Sequence, residues 1–144
     1  MRTGLKSACP QQILWRKKMT KKDIKELIDL PLNDFGNALR LQTLFGKRWV
    51  YLPQFKCWMF RGPHSWNGKR TLDAVYAAAR AFRDLVQAIS RLPEPKEEME
   101  KDKVEEAVEW LLRSECPTHA RNAVYMYRDM QLAEEAVKEE VLRG

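Results

Sequence analysis

Cysteine, histidine and glycine are scarce in this chain, and each shortage removes a class of protein. Its 144 residues include three cysteines, two histidines and six glycines. Cys9, Cys57 and Cys116 are odd in number and far apart, which argues against a disulfide framework and fits free thiols in a reducing compartment. No apolar run approaches the ~18 residues that cross a bilayer, and residues 1–20 lack the apolar core of a signal peptide. A cytoplasmic protein without a membrane partner is expected. No internal repeat is visible, which sets solenoids and propellers aside.

What is present is the composition of a soluble globular protein. Hydrophobic residues make up 44% and charged residues 32% of a 17.0 kDa chain, enough for one domain with its own core. The formal charge is +6, and it is unevenly spread. Residues 1–72 carry fifteen Lys and Arg against four Asp and Glu, whereas residues 73–144 carry eleven against sixteen. The first half is therefore a strong base and the second mildly acidic, an arrangement that favours a polyanion at one end.

Periodicity predicts a mainly α domain of about five helices with one small β-hairpin. Residues 1–19 read as a basic arm, and residues 20–144 as a single helical domain. Thr20 caps a short helix whose apolar positions Ile24, Leu27 and Ile28 recur at helical spacing until Pro31. Asn33 caps a second, with Asp34 in its first turn, Ala38, Leu41, Leu44 and Phe45 on its apolar face, and Gly46 at its end. Residues 48–52 and 56–60 are rich in aromatic and β-favouring side chains and read as the two strands of a hairpin at 48–60, apolar on both faces. Such a hairpin is marginal alone, so one face must pack on helices. Arg61 to Arg70 reads as a turn and loop. Leu72, Val75, Tyr76, Ala79, Phe82, Val86, Ile89 and Leu92 then mark a long amphipathic helix ending at Pro93. Val104, Ala107, Val108, Leu111 and Leu112 mark the next. Thr118 caps a last helix with Ala123, Met126, Met130, Ala133 and Val137 on its inner face.

Motifs for catalysis are weak. Five residues lie between Gly62 and Gly68-Lys69 where a phosphate loop has four, and Arg70 stands where that loop needs Ser or Thr. Cys116 and His119 have a spacing suited to zinc, but six residues separate Cys57 from His64, outside the usual range. No Ser, His and acid grouping has a recognisable spacing. The doublets Glu97-Glu98, Glu105-Glu106, Glu134-Glu135 and Glu139-Glu140 read as solvated helix faces. The expectation is a protein that is not an enzyme and has no cofactor and no metal.

Nucleic-acid binding has more support. Lys17, Lys18, Lys21 and Lys22, then Arg48, Lys56, Arg61, Lys69 and Arg70, are interleaved with Trp15, Trp49, Trp58 and Trp66. Cations neutralise phosphates with release of counterions, and exposed aromatics stack on unpaired bases. The candidate binding residues are these nine cations with Trp58 and Trp66 as stacking side chains. The plain competing reading places most tryptophans in the core and leaves the cations as solubilising charge.

Asp34, Gly36, Asn37, Ala38 and Arg40, then Gly46, Tyr51, Pro53, Trp58, Gly62 and Trp66, follow the order of a block found in phage and plasmid (poxvirus-type) primase-helicases. There, an Asp-x-Gly-Asn-Ala-x-Arg helix precedes a Gly, a strand ending in Tyr-x-Pro, a strand with Trp and a Gly-x-x-Trp turn. Here three residues separate Gly62 from Trp66. With a looser likeness at Leu111–Glu115 and His119–Ala123, residues 30 to 130 resemble the region preceding the superfamily 3 helicase domain of that family. The resemblance implies a phage or mobile-element part that links or positions primase and helicase on DNA. It does not extend to their chemistry, because neither a phosphate loop nor metal-binding primase acids are recognisable here. Two functions follow as expectations. One is a non-enzymatic DNA-binding, replication-accessory module acting on single- or double-stranded DNA. The alternative is a protein-binding inhibitor or decoy of a replication complex or of a host nucleic-acid-guided defence enzyme, anti-CRISPR-like. Locally, Asp34 and Asn37 suit a helix start, while Tyr51, Trp58 and Trp66 are expected to pin the hairpin onto the helices.

Overall fold

The computed structural model describes the backbone of residues 18–143 and the side chains of residues 18–136. The basic arm, up to Lys17 and including Cys9 and Trp15, lies outside the described residues. Thr20 opens α1 (Lys21–Asp29) with a capping box: its hydroxyl accepts from the Asp23 N–H and its own N–H donates to the Asp23 carboxylate, both at 3.1 Å. The Asn33 side chain opens α2 (Asp34–Phe45) by accepting from the Gly36 N–H at 2.7 Å. Gly46 ends it at φ 51°, a left-handed value that suits glycine. A short 3-10 turn leads to β1 (Trp49–Leu52), β2 (Cys57–Arg61) and β3 (Trp66–Lys69), then α3 (Thr71–Ser90), α4 (Glu98–Arg113) and α5 (Pro117–Arg143).

The fold is mainly α with a small antiparallel sheet of order β1-β2-β3. The expected hairpin is thus extended by a third strand at Trp66–Lys69, within the stretch Arg61 to Arg70 that reads in sequence as turn and loop. The register pairs Trp49 with Phe60, Tyr51 with Trp58, Trp58 with Lys69 and Arg61 with Trp66. Alternation therefore puts Trp49, Tyr51, Trp58, Phe60, Asn67 and Lys69 on one face, and Val50, Leu52, Cys57, Met59, Arg61, Trp66 and Gly68 on the other.

The inner face builds the core. Trp49 is sandwiched between Phe45 and Phe60, with ring centroids 3.9 and 4.2 Å away, and Trp58 packs on Tyr127 at 5.6 Å. All five side chains are buried, as are Leu27, Leu41, Leu44, Phe82, Leu85 and Leu111. α5 is the spine: it packs along α2 and α3 and carries β1, while β2 and β3 lean on α3 and α1 rests on α4 and α3. β1 is an edge strand, yet its outer edge is partnered. Gln131 on α5 accepts from the Tyr51 N–H at 2.9 Å and donates to the Trp49 carbonyl at 2.8 Å, so one side-chain amide stands in for a neighbouring strand. Tyr127 donates to the Gly46 carbonyl at 2.7 Å, and burial pushes its phenol pKa up.

Several sequence expectations are corrected. Leu72 and Tyr76 are exposed, because α3 turns its small side chains Ala74, Ala77, Ala78 and Ala81 inward, where neighbouring helices come close. Leu112 and Met126 are likewise exposed, the inner stripe of α5 being Ala120, Ala123, Val124 and Tyr127. Ala133 is exposed too, and the Val137 side chain lies outside the described residues. Thr118 is not a cap, since α5 begins at Pro117, a residue suited to the first helical position.

Candidate nucleic-acid interface

The residues that carry the primase-helicase resemblance in α2 form a buried strut. Gly36 lies so close to the Pro31 carbonyl that a side chain there would collide with backbone. Asn37 is fully buried and ties α2 to the C-terminal end of α4. Its Oδ1 accepts from the Trp110 indole at 3.0 Å and from Arg40 at 3.1 Å, and its Nδ2 donates to Ser114 Oγ at 2.9 Å. Arg40, equally buried, donates to the carbonyls of Leu27, Leu30 and Pro31 at 2.8–2.9 Å, closing the end of α1 against the negative pole of its helix dipole. Burial lowers its pKa to about 10, so it remains a cation at neutral pH. Asp34 accepts from Asn122 at 2.9 Å and is held 2.8 Å from His119 Nδ1. Only the Asp34 position matches the expected helix start; Asn37 is a core hub.

The sheet carries the exposed charge. From Phe35 to Leu72 there is no Asp or Glu, while Lys47, Arg48, Lys56, Arg61, Lys69 and Arg70 fall within or beside the three strands. Lys47, Arg48, Lys56 and Arg61 are exposed and make no ion pair among the described residues. Arg61 stands opposite Trp66, which is 45% exposed, and Arg48 precedes β1 at the same end of the sheet. Lys56, at φ 51° in the β1–β2 turn beside the 71% exposed Phe55, marks the opposite end with Lys69 and Arg70. Between these ends the outer face is Val50, Met59 and Gly68.

The sequence candidates divide accordingly. Arg48, Lys56, Arg61 and Trp66 share the sheet and are open to solvent. Lys69 is half-buried beside Trp58, on the inner face. Arg70 is exposed but engaged: Asp73 accepts from its guanidinium at 3.3 Å and from its N–H at 3.1 Å, opening α3. That contact raises the Arg70 pKa and holds the Asp73 carboxyl below its ordinary value. Lys18, Lys21 and Lys22 are exposed at the start of α1, a separate element, and Lys17 lies outside the described residues. Trp58 is a correction: it is fully buried against Trp49, Tyr51 and Tyr127 and offers no face to a base. Trp66 does not pin the sheet, because its register places it on the outer face.

The zinc candidates are scattered. Cys57 lies in β2, His64 and Cys116 are exposed, and His119 is engaged with Asp34. Among the described residues, no three His, Cys, Asp or Glu side chains converge as metal ligands. Gly68-Lys69 belong to β3, an antiparallel strand, and not to a loop entering a helix. No described helix is long and apolar enough to cross a membrane. Counting acids alone over 35–72 shows the acid-free stretch, and the four residues between Arg61 and Trp66 are a hairpin-loop length that suits a third strand. No family model, curated protein or solved structure matches the chain.

Proposed function

We propose that this protein is a non-enzymatic, cytoplasmic DNA-binding module that serves replication as an accessory, in line with the resemblance of residues 30–130 to the region before a primase-helicase motor. The observation that carries this reading is the acid-free sheet. Four exposed cations without ion-pair partners among the described residues, Lys47, Arg48, Lys56 and Arg61, surround an outward-facing tryptophan. A polyanion gains there by counterion release, and the strands themselves contribute no carboxylate to repel it. Exposed acids lie instead along α4 and its N-cap, at Glu97, Glu98, Glu105, Glu106 and Glu109, and on α5 at Glu134 and Glu135, and Lys103 bridges α4 to Asp29 on α1 at 2.7 Å. The charge asymmetry of the sequence thereby gives the molecule a basic sheet that can meet DNA, apart from the exposed lysines at the start of α1. Fluorescence anisotropy with labelled single- and double-stranded oligonucleotides tests the proposal. Binding that weakens steeply with salt, and weakens further when Arg48 and Lys56 are both replaced by Ala, supports it; no binding to either DNA overturns it.

A further inference from the structure

We infer that the outer face of the sheet is a stacking platform for unpaired bases, so that the DNA the protein takes is single-stranded. This rests on the DNA-binding reading and adds strandedness to it. The platform is anchored by Trp66. Its indole emerges on the outer face at the edge strand, opposite Arg61; it is 45% exposed and, among the described residues, stacks on no other aromatic ring. Two residues along the same strand and face stands Gly68, whose absent side chain leaves the surface beside the indole low. A Cβ there would meet only Met59 Sδ, at 3.7 Å. Row by row, then, the face reads Arg61 and Trp66, next Val50, Met59 and Gly68, and last Leu52 and Cys57.

This arrangement has an uncharged middle and cations at both ends. Arg48 and Arg61 mark one end, and Lys56 and Arg70 the other. Three strands span only about 10 Å, and four residues of strand about the same, so the platform matches a few nucleotides. Bases suit the apolar middle and phosphates suit the ends. In duplex DNA the base faces are hidden within the stack, and the edges are read by side chains projecting into a groove. Trp66 therefore has its complementary surface only in a strand whose bases are free. None of the three strands contributes a carboxylate to this face, so a phosphate backbone can follow it in either direction.

The test compares an oligothymidylate of about 15 nucleotides with a hairpin duplex of similar length, by anisotropy at fixed salt. The expected result is roughly tenfold or greater preference for the single strand, a preference that Trp66→Ala lowers by about 5- to 100-fold and Trp66→Phe largely retains. Thermal unfolding of both variants, unchanged from the parent, shows that the loss is one of contact. Equal or tighter duplex binding that still weakens with salt overturns the single-strand inference and leaves DNA binding standing. A preference untouched by Trp66→Ala overturns the platform. No binding to either probe overturns both readings.

Discussion

Arg61 and Trp66 stand directly opposite each other across β2 and β3, both on the face of the sheet turned away from the core. Cross-strand pairing holds a cation and an exposed ring within one neighbourhood, a combination that serves phosphate and base together. Arg61→Ala is expected to reduce DNA affinity several-fold and to flatten the dependence of log affinity on log salt by about 0.7, the share of one phosphate contact on a single strand. Stability should stay within about 0.5 kcal/mol, because the side chain is exposed. A salt titration of the variant beside the parent checks both halves.

On the proposed reading, Asp73 is a competitor of DNA for Arg70. Asp73→Asn removes the charge that engages the guanidinium, and the expected outcome is tighter DNA binding with a slightly steeper salt dependence. The same change weakens the start of α3 by about 0.5–1 kcal/mol, since the exposed ion pair is screened and an amide still caps in part. The Arg70 contact holds the Asp73 carboxyl below its ordinary value. Its contribution to stability is therefore complete above the unfolded carboxyl value near 3.9 and is lost as pH falls through the lowered folded value. Urea denaturation of both proteins at neutral and acid pH checks this: the difference between them should shrink in acid.

Arg40 is irreplaceable by another cation. Its planar fork reaches the Leu27, Leu30 and Pro31 carbonyls and Asn37 at once, whereas a lysine ammonium is a point charge on a flexible stem. Arg40→Lys should cost about 3 kcal/mol or more, and Asn37→Ala about 2–4 kcal/mol, because each leaves buried groups unpaired. Urea midpoints for the two variants test this; an Arg40→Lys protein within 1 kcal/mol of the parent, on the scale of a surface change, contradicts it.

Two glycines should behave oppositely. A Cβ on Gly36 would collide with the Pro31 carbonyl oxygen, so Gly36→Ala must displace backbone and is expected to cost about 3 kcal/mol or more. Gly68→Ala meets only Met59 Sδ at 3.7 Å and should fold within about 0.5 kcal/mol of the parent. Thermal unfolding of the pair gives the comparison directly.

The sequence made the helices legible because their signals are local. Thr20 and Asn33 act as caps at the positions read for them, and Gly46 ends α2 as expected. What escaped depends on neighbours distant in sequence. Asn67-Gly68 reads as a turn until β2 supplies the partner that makes it a strand. Trp58 and Trp66 look alike in sequence, and only the register sends one to the core and the other to solvent. Arg40 stands out in sequence only as the last residue of the Asp-x-Gly-Asn-Ala-x-Arg block, and its place at the centre of the buried strut depends on three carbonyls at the end of α1 and on Asn37. Among the proposed contact residues, charge and exposure were legible for Arg48, Lys56 and Arg61; the engagement of Arg70 by Asp73 was a short-range pattern that charge counting passed over.

The central claim is that exposed cations on the sheet hold a nucleic-acid backbone, and the salt dependence of affinity tests it most directly. For four such contacts on single-stranded DNA, from Lys47, Arg48, Lys56 and Arg61, log affinity should fall against log salt with a slope of about −3. Replacing all four by Ala should bring that slope toward zero while the helical signal of the protein persists. A slope near zero in the parent protein, or an unchanged slope in the fourfold variant, would contradict the account.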